Sequence, residues 1–268
     1  MFEFPFILQI DDEKKIGKFH PFWVKPIPDK ILEEMKRLQT VIFPSSFNHP
    51  VDNLPPNIEA LEFGQQFNQK VDKLPSSLKI LRFFGCFNQT IDHLPNTLQA
   101  LYIESNFNKT IDNLPSNLNT LHIGHCFNHP IDNLPNSLEY LKIGYNFNQP
   151  VDFLPQSLRT LRLGGIFNQP MDNLPVGLRG LRVGYEFNQP LPNLPLNLTS
   201  LYLDANFCQN IDNLPDGIVS LNLGEKFKYP IAKLPKKLKK LHLARNYHLP
   251  LPPTKAKIIW SKNICISS

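Results

Sequence analysis

A 20-residue period is the feature that most constrains the fold of this chain. From Val51 to Pro250 the sequence divides into ten units of 20 residues without an insertion. Leu-Pro fills the fourth and fifth places of every unit, from Leu54-Pro55 to Leu234-Pro235, and a leucine fills every eleventh place. A constant period without gaps indicates a solenoid, in which each unit forms one coil that stacks directly on the preceding coil.

Each unit contains one pattern that is typical of a short β-strand. Thr160-Leu161-Arg162-Leu163 alternates leucine with polar residues, so the leucines face the core and the other residues face solvent. The other half of each unit has proline at the fifth place, and often again at the twentieth. Proline neither donates to a strand ladder nor fits inside a helix, so the return path is extended or turned. The pattern therefore predicts a mostly β solenoid with parallel strands.

Three motifs resemble known repeat families. The L-x-x-L-x-L-x-x-(N/C) run is similar to the leucine-rich-repeat strand signature, and the Leu-Pro opening looks like the short bacterial class of those repeats. The run Phe147–Asp152, F-N-Q-P-V-D, resembles the FNIP repeat family more closely. That family occurs in social amoebae and in large DNA viruses of amoebae, often behind an F-box. The resemblance covers residues 47–250 and implies a leucine-rich-repeat-like solenoid that acts as a viral or amoebal effector capturing host proteins.

The segments outside the repeats are predicted to cover the two ends of the array. Residues 1–46 form an N-terminal cap with a hairpin around Asp11–Lys15, a helix over about residues 28–38 and a degenerate first strand at Thr40–Phe43. Residues 251–268 form a C-terminal cap. Ile27–Leu32 resembles the opening of an F-box, but the first strand follows too soon for the rest of that helical domain. Adaptor function in a ubiquitin ligase therefore stays a second alternative only.

Charge and cysteine content bear on location and partners. The net charge is +5, yet Lys226–Ser268 holds eleven basic residues and no acidic one, whereas the first 225 residues hold 17 basic and 23 acidic residues. Four cysteines in this length do not make a disulfide framework, which favours a reducing compartment. The apolar run Phe4–Ile10 has no positive start, and no apolar run is long enough to span a membrane. We expect a monomer in the cytoplasm, or in the host cytosol if the protein is viral, and no secretion.

Residues 20 apart form columns along the solenoid, and two polar columns are continuous. Asparagine at the eighteenth place predicts a structural ladder in which each amide donates to its neighbour and to a backbone carbonyl, the alternative being a polar binding row. The ladder comprises Asn68, Asn88, Asn108, Asn128, Asn148, Asn168 and Asn188. Aspartate at the second place predicts carboxylates that are hydrated or bound by turn N–H groups, because neighbours about 5 Å apart repel by ~0.8 kcal/mol in water. Calcium binding is the alternative for this column.

Two further columns carry structural expectations. Phenylalanine at the seventeenth place predicts a buried stack of rings. Glycine at the fourteenth place, as in Gly164 and Gly184, predicts a turn conformation that is closed to other residues, and it also bares a strip beside the strand face.

The outward twelfth place predicts a partner-binding face. It holds one acidic residue in ten and is otherwise largely basic or aromatic. Arginine and tyrosine are enriched at binding hot spots, and arginine grips a carboxylate or phosphate at two points. The predicted contact residues are Arg82, Tyr102, Lys142, Arg162, Arg182, Tyr185 and Tyr202. The predicted partner is a protein with an acidic or mixed surface. A solvated face is the structural alternative.

A nucleic acid or another phosphate-rich ligand is the alternative partner. The basic C-terminal coils could contact phosphates, and the tyrosines and histidines could stack on bases. The basic residues concerned are Lys233, Lys236, Lys237, Lys239, Lys240, Arg245, Lys255, Lys257 and Lys262.

No arrangement of residues indicates catalysis, a metal or a cofactor. His122, His125 and His129 have metal-like spacing, but on a strand and its turn they point in different directions. Cys86 and Cys126 lie two coils apart, roughly 9–10 Å, which is too far for a disulfide, and their thiols are expected to point inward. We therefore predict a non-enzymatic interaction scaffold.

Overall fold

Parallel β-strands recur every 20 residues in this computed structural model, which describes residues 8–104 and 106–261. The chain divides into two compact units. Unit one is Met1–His129 with Asn133–Leu138, and unit two is Pro130–Asp132 with Glu139–Ser268.

The described part of unit one begins with a hairpin that belongs to its sheet. Strands β1 (Leu8–Asp11) and β2 (Ile16–Phe19) pair antiparallel, and β2 then pairs in parallel with β3. The strands that follow each pair in parallel with the next, in sequence order. They are β3 (Thr40–Ile42), β4 (Ala60–Phe63), β5 (Ile80–Phe83), β6 (Ala100–Ile103) and β7 (Thr120–Ile123).

One short helix, α1 (Asp29–Met35), separates the hairpin from β3. Pro28 precedes its first residue without a side-chain cap, and Asp29 places a carboxylate in the first turn, where it complements the helix dipole. Ile31 and Met35 are buried, so α1 covers the apolar start of the unit. Within the described ranges, no helix is both long and apolar enough to cross a membrane.

In the described part of unit two, every strand pairs in parallel and no helix is present. Register is exact: Arg182 pairs with Arg162 on one side and with Tyr202 on the other. The strands are β8 (Tyr140–Ile143), β9 (Thr160–Leu163), β10 (Gly180–Val183), β11 (Ser200–Leu203), β12 (Ser220–Asn222), β13 (Lys240–Ala244) and β14 (Lys257–Ser261). With one helix among the described residues and a parallel strand in every repeat, the predicted mostly β, leucine-rich-repeat-like solenoid is confirmed.

The core of each coil follows from alternation and from a turn after the proline. In β9, Leu161 and Leu163 are buried while Arg162 is exposed. In most coils the carbonyl of the Leu-Pro proline accepts the N–H of the leucine three residues later, at 3.1 Å between Pro155 and Leu158. Extended stretches between such turns make up the return path. A proline fits there because its own missing N–H is not needed.

Phenylalanine at the seventeenth place forms the predicted stack in both units. Ring centroids of Phe87 and Phe107 lie 6.2 Å apart with planes 5° from parallel, and those of Phe167 and Phe187 lie 6.0 Å apart. The four rings are fully buried. Offset stacking of this kind adds to the free energy of burial, so the stack ties each coil to the next.

Unit one has a second aromatic column that the sequence analysis did not single out. Phe43, Phe63 and Phe83 stack on one another with centroids 4.9 and 5.4 Å apart. They also stack on the seventeenth-place rings, at 3.9 Å between Phe63 and Phe67. Phe19 of the hairpin packs on Phe43 at 5.0 Å and so covers the end of the stack.

The fourteenth-place glycines have a different cause from the one expected. Among the described residues only Lys15 and Gly85 have a left-handed φ, so no fourteenth-place glycine adopts the expected turn conformation. Successive coils instead approach closely there. A Cβ on Gly184 would lie 2.6 Å from the backbone carbon of Gly164, and one on Gly164 would lie 2.8 Å from that of Gly144. At these glycines the missing side chain allows backbone contact between coils, and the expectation was wrong in its reason.

The eighteenth-place asparagines form a ladder whose hydrogen bonds run opposite to the expected direction. Each side-chain Oδ1 accepts the backbone N–H of the residue 20 positions later, at 2.9 Å between Asn188 and Asn168. Gln189 adds a second bond by donating its Nε2 to the backbone carbonyl oxygen of Asn168 at 3.1 Å. The acceptors of these N–H bonds are Asn48, Asn68, Asn88 and Asn108 in unit one and Asn148, Asn168 and Asn188 in unit two. The ladder satisfies backbone donors that strand pairing does not reach.

Two substitutions of Asn168 test whether its side-chain oxygen acts as a hydrogen-bond acceptor. Asn168→Ala leaves the N–H of Asn188 without its acceptor, so we expect the free energy of unfolding to fall by about 1–3 kcal/mol. Asn168→Asp keeps an oxygen at the same place and should cost distinctly less. Urea denaturation of the three proteins measures the difference. Equal losses in both variants would contradict an acceptor role.

The ladder ends at Cys208, whose N–H is its last donor, 2.9 Å from Asn188 Oδ1. A thiol cannot take the place of an amide oxygen, and the N–H of Lys228 has no acceptor among the described residues. Cys208→Asn should extend the ladder by one bond and raise the free energy of unfolding by about 0.5–1.5 kcal/mol. Cys208→Ala, which also removes the thiol but adds no acceptor, serves as the control. A gain of the same size in both variants would refute the explanation.

Candidate protein-binding face

The tenth and twelfth places of each coil present side chains on the outer surface of the strands. In β9 and β10 the side chains of Arg162 and Arg182 are exposed between buried leucine and valine neighbours. The ninth place lies just before each strand and carries exposed charged residues such as Arg159 and Arg179. We call these three columns the sheet face and describe it separately for each unit.

The sheet face of unit one neutralises its own charges. Arg82 Nη1 lies 2.9 Å from Glu62 Oε1 in the preceding coil, and the guanidinium lies over the ring of Tyr102 at 4.8 Å from its centroid. In the ninth column Lys79 Nζ lies 2.9 Å from Glu59 Oε2. The predicted contact residues Arg82 and Tyr102 therefore lie together, but the cation already has an acidic neighbour.

The sheet face of unit two carries cations without acidic partners. The guanidinium of Arg182 lies 4.3 Å from the ring centroid of Tyr202, and that of Arg162 lies 5.7 Å from the ring centroid of Tyr140. Arg162, Arg179 and Arg182 form no ion pair among the described residues. Cation–π contacts orient a guanidinium without neutralising it, so these side chains stay available for an anion.

Arg159 is held in place by the backbone. Its Nη1 donates to the carbonyl oxygen of Gly177 at 3.1 Å. Gly177 leaves the space for this contact, since a Cβ there would overlap the guanidinium. The contact fixes one end of the guanidinium and leaves its remaining N–H groups for other acceptors.

The other predicted contact residues of unit two lie beside these arginines. Lys142 is half-buried and pairs in register with Arg162. Tyr185 is exposed at 47% in the fifteenth column, and Tyr145 at 43% lies two coils earlier in the same column. The ring of Tyr145 packs over Gly165, where a Cβ would overlap it. The rim of this face is therefore aromatic.

The surroundings of Tyr202 shift the pKa of its phenol. Partial burial raises the pKa of the Tyr202 phenol, the charge of Asp204 raises it further, and the Arg182 guanidinium lowers it. Burial and the neighbouring Lys240 lower the pKa of His242 in the same column. His242 therefore stays neutral at physiological pH and adds no charge to this face.

The second-place aspartates are exposed or half-buried, as repulsion among them requires. Asn113 Nδ2 donates to Asp92 Oδ1 at 3.2 Å, and Asn173 Nδ2 donates to Asp152 Oδ1 at 3.3 Å. The donors in these two contacts are side-chain amides of the next coil, whereas Asp212 Oδ1 accepts the backbone N–H groups of Ala232 and Lys233 at 2.9 and 3.1 Å. The part of the chain that the structure describes holds no group of side chains suited to a metal ion.

The thiols differ from expectation. Cys86 is exposed and Cys126 is half-buried, so the expected inward orientation is wrong. The sixteenth place belongs to a surface turn in these coils, and only the eleventh, thirteenth and seventeenth places near it point into the core.

The basic C-terminal coils are partly neutralised. Lys236 Nζ lies 3.0 Å from Asp216 Oδ2, and Lys233 Nζ lies 4.0 Å from Asp216 Oδ1. The hydrogen bond from Lys236 lowers the pKa of the Asp216 carboxyl. Lys262 lies outside the described residues.

Arg182 and Tyr202 give a direct test of the cation–π contact. Arg182→Met removes the positive charge that lowers the pKa of Tyr202, so that pKa should rise further. A pH titration of ring-labelled tyrosine by NMR measures the change. Arg82→Met, which lies in unit one, should leave the Tyr202 resonance unchanged. An unaltered Tyr202 titration in Arg182→Met would disprove the contact.

Comparison with known proteins places the chain among repeat proteins. The family model described as FNIP Repeat matches residues 47–86, 87–126, 127–165 and 187–226, more than half of the chain. A search of curated proteins gave no match.

The solved structures that resemble the chain include CroV588 and YopM. The crystal structure of CroV588 from the giant virus CroV, described as a novel circular LRR protein, is 34% identical with a TM-score of 0.74 over 90% of this chain. YopM from Yersinia enterocolitica WA-314 is 23% identical with a TM-score of 0.54 over 84% of this chain. The match spans 42% of the CroV588 chain and 55% of the YopM chain. The second likeness concerns the fold alone.

Proposed function

Because the chain belongs to the FNIP repeat family and folds as a leucine-rich-repeat-like solenoid, we propose that it is a non-enzymatic scaffold that binds a partner protein on its sheet face. Repeat folds of this kind commonly serve protein–protein interaction, because stacked coils give a long continuous surface. The core columns are apolar in every coil, whereas the sheet-face residues differ in charge and polarity from coil to coil. Individual binding properties therefore reside on that face.

The observation that carries the proposal is the set of arginines without acidic partners in unit two. Arg162, Arg179 and Arg182 are exposed, and the tyrosines beside them supply large, stiff contact area. Such a surface is complementary to an acidic or mixed protein surface. We assign the main contacts to Lys142, Arg162, Arg182, Tyr185 and Tyr202, and lesser contacts to Arg82 and Tyr102, because Arg82 already pairs with Glu62.

We extend the proposal to an effector in the cytosol of a host cell. Its support is the 34% identity to CroV588 of a giant virus over 90% of this chain. Free thiols at Cys86, Cys126 and Cys208 agree with a reducing compartment. An adaptor role in a ubiquitin ligase has no such support, since α1 is the only helix in the described residues.

Affinity capture with charge-reversed baits tests the proposal. Arg162→Glu/Arg182→Glu should raise the dissociation constant of the captured partner at least about tenfold, because removing a charge from a contact costs about 2–5 kcal/mol. Lys237→Glu/Lys255→Glu changes the net charge equally at exposed positions of the C-terminal coils and should retain the partner. Each capture is run with and without nuclease.

Three results would contradict the proposal. They are equal capture by wild type and by the sheet-face variant, loss of the partner only in the C-terminal variant, and loss of the partner on nuclease treatment. The last two would favour nucleic acid.

A further inference from the structure

The ninth and twelfth columns hold opposite arrangements of charge in the two units. In unit one each column contains an ion pair between successive coils, Glu59 with Lys79 and Glu62 with Arg82. In unit two the same columns place arginine next to arginine. Arg162 and Arg182 are register partners, and the N–H of Arg179 donates to the carbonyl oxygen of Arg159 at 2.9 Å. Two adjacent like-charge pairs therefore share one small area.

This arrangement costs stability in the free protein. Like charges directly opposite each other on neighbouring strands are destabilising, by ~0.8 kcal/mol for two unit charges about 5 Å apart in water. Nearby acids do not relieve it. Glu139 forms no ion pair with Arg159 among the described residues, the Glu186 carboxylate accepts from Asn206 at 2.7 Å, and the Asp204 carboxylate accepts from the N–H of Ala205 at 2.8 Å. A bound anion would relieve it.

A glycine that the fold does not require lies between the two pairs. Gly180 is on the outer face of β10, in register with Thr160 and Ser200. Its φ is not left-handed, and a Cβ there would make only ordinary contacts, 3.6 Å from Thr160 Oγ1. Glycine inside a strand costs roughly 0.5–1 kcal/mol relative to alanine. The missing side chain leaves open space on the outer face of β10. Two hydroxyl side chains flank this space, on the same face as Arg162 and Arg182.

Tyrosines border the arginine pair on both sides along the sheet. Tyr140 contacts Arg162 from the preceding coil, and Tyr202 contacts Arg182 from the following coil. The order along the solenoid is therefore Tyr140, Arg162, Arg182, Tyr202. Contacts with the ring faces reduce the conformational freedom of the guanidiniums before a ligand arrives, which lowers the cost of binding.

The spacing distinguishes a phosphate from a row of carboxylates. Arginines of successive coils are about 4.8 Å apart at their backbones, whereas same-side carboxylates of an extended peptide are about 6.6 Å apart. One phosphate, with three acceptor oxygens and a charge of about −2, can accept from both guanidiniums at once. The cations also occupy few coils: three in the twelfth column, Lys142, Arg162 and Arg182, and two in the ninth, since Tyr202 and Thr199 follow them. A nucleic acid strand would instead be matched by cations along many coils.

We infer that Arg162 and Arg182 bind the phosphate of a phosphorylated serine or threonine in the partner protein, seated over Gly180 between the hydroxyls of Thr160 and Ser200. The inference rests on the proposed function of the sheet face and specifies the chemistry of its partner. Arg179 supplies additional positive charge beside the site. Arg159, anchored at Gly177, marks its edge.

Fluorescence polarisation with short degenerate peptides tests the inference on the full chain. Three labelled pools are used, with phosphoserine, serine or glutamate at the central position. The phosphoserine pool should bind about tenfold more tightly than the glutamate pool, because only the phosphate offers a second negative charge and a third acceptor. Binding should weaken as the pH falls below about 6, where the phosphate dianion takes up one proton and becomes a monoanion.

Gly180→Val is the decisive variant because it keeps every arginine. Valine suits a strand better than glycine, so the melting temperature should not fall. Its side chain fills the open space at residue 180 and should therefore abolish the preference for phosphoserine. Arg162→Met/Arg182→Met should do the same. Lys109→Met, which removes an exposed positive charge outside the sheet face, should retain the preference.

Each other outcome overturns the inference. Equal binding of the phosphoserine and glutamate pools, or no binding, would exclude a phosphate site. Phosphoserine binding that survives in Gly180→Val would place it elsewhere. If a single-stranded oligonucleotide binds more tightly than the phosphoserine pool, and this binding is lost in the same variants, the site formed by Arg162 and Arg182 would be assigned to nucleic acid.

Phosphatase treatment of the affinity capture separates this inference from the proposed function. A partner that is lost in Arg162→Glu/Arg182→Glu but retained after phosphatase treatment would leave the sheet-face scaffold intact and refute the phosphate. Loss of the partner both in the arginine variant and after phosphatase treatment would support the scaffold proposal and the phosphate site together. A partner indifferent to the arginine variant would refute the scaffold proposal first.

Discussion

In-register stacking at an exact 20-residue period is the constraint on which every other feature depends. Because Leu181 pairs with Leu161 and Arg182 with Arg162, each residue type repeats at one place in the cross-section. A side chain that would have little effect in a single coil therefore forms a continuous column when it repeats in every coil. The Phe167–Phe187 stack and the Asn168–Asn188 hydrogen bond both need the same register, and a one-residue insertion would break them together.

Apolar and polar columns contribute differently to the fold. Stacked phenylalanines contribute burial, which is large but tolerant of small shifts. The asparagine ladder contributes bonds of defined length and direction, such as the 2.9 Å contact between Asn68 Oδ1 and the N–H of Asn88. Serine and threonine at the seventh place do the same, with Thr97 Oγ1 donating to the carbonyl oxygen of Leu78 at 2.9 Å. Burial holds the coils together, and these bonds fix their register.

How much the sequence could predict depended on whether a property repeats. Strand, core and ring stack follow from columns that recur in every coil, as for Leu161, Leu163 and Phe167, so periodicity alone predicted them. The reason for Gly184 could not be predicted, because it depends on the distance between coils at one corner. Hydrogen-bond direction at Asn168 depends on which backbone groups the turns leave free, which no residue pattern encodes.

The sheet face was predictable in place but not in chemistry. Its outward position follows from alternation, so Arg82 and Arg162 entered one group of contact residues. Their difference comes from the residue 20 positions away, glutamate for Arg82 and arginine for Arg162. Reading each residue against its neighbours at that spacing would have separated them.

The contrast between the two pairs also shows what the fold itself demands. A column of this solenoid accommodates both an ion pair at Glu62 and Arg82 and a like-charge pair at Arg162 and Arg182, so stacking does not dictate the charges. A free energy cost that the scaffold does not require, placed beside a glycine that the backbone does not require, is typical of a binding site and not of a structural one. That coincidence at Gly180 is the strongest physical reason to look for the partner in unit two.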